Sequence, residues 1–145
     1  PLIALTLDRS PRLYETGDTL RIEHQIDAID PDEIQAIEVS VLWFTEGKGE
    51  PDMGVHFFRR TTPDAVEHGD MRPLARLDVP LPPSPLSYDG VILKIRWCVR
   101  VRLFLTKARE YLEEQGFQLG SVPPSVPVGA ASGPPSAAEG KMAEE

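Results

Sequence analysis

The chain is 145 residues long, with 15 Lys and Arg against 23 Asp and Glu, a formal charge of -8, and a single cysteine. That size suits one domain with a proper core and needs no disulfide or metal staple, and the acidic balance argues against non-specific binding to nucleic acid or anionic lipid. Cys98 alone makes no intramolecular disulfide and fits a reducing compartment.

From the amino end, Leu2 to Asp8 places Ile3, Leu5 and Leu7 on one face, a first strand that Arg9-Ser10-Pro11 breaks. Gly17-Asp18 signals a turn. Thr19 to Asp27 then alternates Leu20, Ile22, His24 and Ile26 with Arg21, Glu23, Gln25 and Asp27. Asp30 to Glu33 is an acidic turn. Ala36 to Phe44 forms a third strand with Ile37, Val39, Val41 and Trp43 inward. A loop over 45–52 leads to a strand over Met53–Thr61, expected to turn Val55 and Phe57 to the core. After a polar loop, Leu74 to Leu81 alternates again.

Residues 82–105 dominate the pattern. The odd positions Val91, Leu93, Ile95, Trp97, Val99, Val101, Leu103 and Leu105 are all apolar, and Lys94, Arg96, Arg100 and Arg102 hold even positions. Side chains on a strand point alternately to opposite faces, so this is a long half-buried strand. Thr106 to Gln115 has the best helix propensity in the chain but little apolar face, so a loop or helical turn is expected before a short strand at Phe117 and Leu119. Residues 121–145 are rich in Pro, Gly, Ala and Ser, too poor in large apolar groups to offset the entropy of ordering, and read as a disordered tail. Seven or so short strands predict an all-β, two-sheet antiparallel β-sandwich over residues 1–120. The chain opens at Pro1 rather than Met, so upstream residues are expected. No segment is apolar enough to predict a membrane span.

Three stretches resemble the amino-terminal domain of arrestin-like proteins. Tyr14-Glu15-Thr16-Gly17-Asp18-Thr19-Leu20 is similar to the family's entry into its second strand. Ile37-Glu38-Val39-Ser40-Val41 matches its third, and Leu81-Pro82 through Ser87-Tyr88-Asp89-Gly90 to Val101 matches a later segment. The resemblance implies an arrestin-like β-sandwich acting as a protein-interaction scaffold, without catalysis and without a cofactor. Two features depart from the family. No second sandwich follows, and the phosphate-sensing basic pair has no clear counterpart, although Arg9 and Arg12 lie nearby. A domain standing alone suggests a bacterial, cytoplasmic protein.

Two surfaces are candidate binding sites for a protein partner. Lys94, Arg96, Arg100 and Arg102 form a comb of cations spaced roughly 6.5–7 Å apart. Glu23, Asp27, Glu38 and Asp78 have the parity to neutralise it, the ordinary fate of charges on a sheet; otherwise it would suit an acidic segment. Leu42, Phe44 and Phe58 form an outward apolar trio, either a docking patch or the underside of the 45–52 loop. A sheet edge is a further route to a partner. His24, with apolar parity, is expected to be buried and hydrogen-bonded. His56 and His68 form no ligand motif with it, and Asp27, Asp30, Asp32 and Glu33 lack calcium-loop spacing. A metal-dependent protein or enzyme using His24, His56 and that acidic turn is the alternative function, and self-association is another.

Overall fold

The computed structural model describes residues 2–120. Nine strands follow one another: β1 (Ile3–Leu7), β2 (Leu13–Tyr14), β3 (Thr19–Ile26), β4 (Ile34–Gly47), β5 (Met53–Thr61), β6 (Ala75–Pro80), β7 (Tyr88–Asp89), β8 (Leu93–Leu105) and β9 (Arg109–Leu119). A small sheet has the order β1-β3-β6. A large one has the order β2-β9-β8-β4-β5, with β7 laid against the start of β8. Every pairing is antiparallel except the two-residue contact of β2 with β9. The expected two-sheet sandwich is therefore the fold. The Pro- and Gly-rich stretch from residue 121, read above as a disordered tail, lies outside the described residues.

Alternation explains the core. Leu20, Ile22 and Ile26 on β3 are buried, as are Val99, Val101, Leu103 and Leu105 on β8 and Ile37, Val39 and Val41 on β4. Trp97, 2% exposed, seals one end of this layer. Its indole Nε1 donates to the Pro85 carbonyl at 2.7 Å, and its ring lies 5.8 Å from Phe117 and 6.2 Å from the His56 ring. A buried indole needs a partner for its N–H, and the proline-rich approach to β8 provides one.

Three expectations are corrected. The apolar odd positions of residues 91–105 are not all sealed: Val91 is 71% exposed, Leu93 is also exposed and Ile95 is half-buried. Thirteen residues of β8 reach about 44 Å, whereas the six of β6 reach about 20 Å, so the small sheet is too short to cover the whole strand. Residues 106–115 are not a loop or helical turn. Most of them belong to β9, which pairs with β8 from Trp97↔Phe117 to Leu105↔Arg109. Lys107 and Ala108 both take left-handed φ, 64° and 57°, as in the tight hairpin turns whose twist matches that of the strands. Cross-strand pairing here outweighs local helix propensity.

Val55 does not face the core and is instead 56% exposed. Val41 pairs with Phe57 but Leu42 pairs with Val55, so His56 is an extra residue on β5, a β-bulge. One unmatched residue reverses the parity of everything before it. Phe57 packs against the core as expected, while Met53 and Val55 point outward.

Candidate functional site

The outer face of the large sheet carries both surfaces singled out in the sequence. On β8 the cationic comb is matched by acids. Lys94 lies 3.6 Å from Asp89, Arg96 lies 3.0 Å from Glu46, Arg100 pairs with Glu114, and Arg102 lies 2.9 Å from Glu110. Three of the four acids foreseen for this role are engaged with other arginines, and Asp27 accepts from Gln25. Glu38 takes Arg60, Glu23 takes Arg76, and Asp78 takes Arg21. Two of the actual partners, Glu110 and Glu114, stand on β9, so an unforeseen strand hid the pairing.

Beside this ion-paired region, β4 and β5 carry apolar groups. The ladder sets Phe44 opposite Met53, Leu42 opposite Val55 and Ser40 opposite Phe58. Phe44 is half-buried, and Met53, Val55 and Phe58 are 52%, 56% and 56% exposed. Leu42, expected to be an exposed member of the trio, is only 1% exposed and forms the floor of the patch. Cys98 and Val55 are its direct cross-strand neighbours. Parity identified Leu42, Phe44 and Phe58. Met53 and Val55 were missed because the bulge is silent in the residue pattern. β5 ends the large sheet, with β4 on one side of it and no strand among the described residues on the other.

The remaining sequence candidates are dispersed. His56 Nε2 lies 2.7 Å from the Pro80 carbonyl, tying the large sheet to β6. His24 is buried as expected, but its Nδ1 has no hydrogen-bond partner, against the expectation of a satisfied core histidine. Burial pushes its pKa down, because the charged imidazolium loses its hydration. Within the acidic turn, Pro31–Glu33 forms a short 3-10 helix after the extended Asp30, and Glu33 pairs with Arg109. Among the described residues no group of three His, Cys, Asp or Glu side chains is placed to hold a metal ion. No helix of the described residues is long and apolar enough to cross a membrane. Burial, together with nearby Glu114, pushes the Cys98 thiol up to about 11, so it is a poor nucleophile at neutral pH.

One further polar contact anchors the chain near its start. The Tyr14 hydroxyl donates to Asp8 Oδ1 at 2.7 Å, and the same oxygen accepts the Arg21 amide at 3.1 Å. Burial works to raise the Asp8 carboxyl, but these hydrogen bonds outweigh it and hold the pKa below the usual carboxylate value.

The geometry defines a non-helical two-sheet sandwich with one partly apolar outer face. No family model and no curated protein matches the sequence. Solved structures do. Spo0M, a sporulation control protein from Bacillus subtilis, matches 82% of this chain with a TM-score of 0.56 at 12% identity. The match covers 49% of the Spo0M chain, so this chain spans about half its length. A superoxide reductase (neelaredoxin) from Ignicoccus hospitalis matches 83% of this chain and 81% of its own, with a TM-score of 0.49 at 11% identity. The first likeness shows the fold alone, a β-sandwich.

Proposed function

We propose that this chain is a non-catalytic protein-interaction domain that docks a partner polypeptide on the outer face and free edge of β5. One observation carries the reading: Phe44, Met53, Val55 and Phe58 converge over the buried Leu42 at the open end of a sheet whose neighbouring charges are paired. Exposed apolar groups on a single strand face are suited to side-chain recognition, and an edge backbone offers main-chain hydrogen bonds to an added strand. Arg59, on the opposite face of the same strand, discourages indiscriminate pairing of edges, which supports a specific partner over open-ended self-association. The role described for Spo0M, control of sporulation, supports a regulatory use of the fold over a catalytic one. A free buried thiol at Cys98 supports a cytoplasmic setting.

The test is affinity capture from native lysate with quantitative comparison of three proteins. Val55→Ser with Phe58→Ser is expected to lose the partner that wild type retains. Replacement of Lys94, Arg96 and Arg100 by Glu tests the comb separately. A partner retained by the first variant and lost by the second would transfer the docking surface to the basic stripe. Light scattering over a concentration series distinguishes self-association, which would appear as growth in mass with no added partner.

A further inference from the structure

At the open side of the sandwich, between the edge strands β5 and β6, lies a cavity of about 310 Å³, at the low end of the range of about 300–1,000 Å³ that small-molecule sites occupy. Its walls include Ile37, Val39, Met71 and Leu77, all buried apolar residues. Two polar side chains give this space a chemistry that a packing defect would lack.

The first is His24, on β3 in the small sheet. It lines the cavity at 6% exposure, and its Nδ1 is sealed from solvent with no hydrogen-bond partner. A buried N–H without an acceptor costs more than a bare lone pair, so the neutral ring keeps its proton on Nε2. With Nδ1 sealed, Nε2 is the ring's remaining polar atom, and it is the donor His24 can offer a ligand in the cavity.

The second is Arg59, on β5 in the large sheet. It is opposite Val39 in the ladder, and Val39 faces the core, so Arg59 leaves the edge strand on the inner side. The other charged groups around the cavity are committed: Asp70 to Arg72, and Arg76 to Glu23. Arg59 makes no ion pair among the described residues. Its guanidinium rests over the Phe57 ring, 5.4 Å from the centroid. A planar, permanently charged fork stacked on an aromatic ring is a preorganised receptor for carboxylate.

We infer that the cavity between the sheets binds a small amphipathic carboxylate, its head on Arg59, its apolar body against Val39, Met71 and Leu77, and an oxygen within reach of His24. This site lies on the inner side of β5 and is independent of the docking face on its outer side. A medium-chain carboxylate such as octanoate fits the chemistry, with one anionic head and an unbranched body.

The test uses methyl and histidine side-chain NMR of the purified chain titrated with sodium octanoate, with butanoate as a head without a body and octan-1-ol as a body without a head. Octanoate is expected to give saturable shifts at Val39, Leu77, Met71 and the His24 ring, tighter than either control. Arg59 is exposed, so Arg59→Gln should fold normally. It should weaken octanoate more than ten-fold, as loss of a charge-assisted hydrogen bond requires, while leaving octan-1-ol unchanged. Absence of saturable shifts up to about 10 mM, a concentration that would reveal even millimolar affinity, would overturn the inference. So would shifts confined to Met53 and Val55 on the outer face, or equal affinity in Arg59→Gln.

Discussion

Replacing Tyr14 by Phe isolates one buried polar contact, because the change removes a single hydroxyl. Tyr14 is 1% exposed and packs edge-on against Phe117 at 5.6 Å, so a phenyl ring retains the packing. The lost hydrogen bond has a charged acceptor, a type that nets about 1.5–3 kcal/mol. Asp8 is exposed and keeps the Arg21 amide, so water replaces part of what it loses. The expected cost is therefore near the lower bound, about 1.5 kcal/mol, or roughly 5–8 °C in Tm for a domain of this size. The pH dependence has a definite sign. Asp8 has a depressed pKa in the folded protein, so its contribution is present above the unfolded value of about 3.9 and is lost as pH falls through the lower, folded one. Urea unfolding followed by tryptophan fluorescence at pH 7 and near pH 2 measures both effects. The Tyr14→Phe penalty should be larger at pH 7, where Asp8 is ionised. A penalty below about 0.5 kcal/mol, or one equal at the two pH values, would refute the assignment of Asp8 as an ionised acceptor.

Leu103 is fully buried in the middle of the sandwich, and Leu103→Ala should cost about 2–5 kcal/mol by urea unfolding. Arg100→Met breaks the ion pair with Glu114 at the surface. It should change stability by less than about 1 kcal/mol in a double-mutant cycle with Glu114→Gln. Cys98 should react with an aromatic disulfide reagent at pH 8 only slowly in the native protein and at once in urea, because its thiol is buried and has its pKa near 11. Gly47 has φ +137°, and a Cβ there would lie 2.1 Å from the Ile92 carbonyl oxygen. Gly47→Ala should therefore lower stability by about 1–3 kcal/mol in thermal unfolding and shift amide resonances at Ile92 and Leu93.

Much of the architecture was legible because period-two alternation survives wherever one face is wet and the other dry. Thr19–Ile26 and the Trp97–Leu105 half of β8 show it most plainly. The failures share a cause: each depends on what another strand does. Residues 109–115 are locally good helix formers, and only the partner β8 makes them a strand. Val91 and Leu93 continue the apolar pattern past the reach of the covering sheet, which no local property reveals. The comb of cations was visible, yet its neutralisation came from Glu110 and Glu114 once β9 stood beside β8. Arg59 shares the parity of Phe57, which was expected to face the core, and the ladder sets it opposite the buried Val39.

The unmatched histidine at position 56 has a consequence for how such a surface can arise. Had β5 kept strict alternation, Val55 would have turned toward the interior, Met53 with it, and the outer side of that hairpin would have lost two of its four greasy members. A change in how many residues one strand uses to cross the sheet, with no change in their chemical character, therefore suffices to expose an adhesive strip where a polar one would have stood.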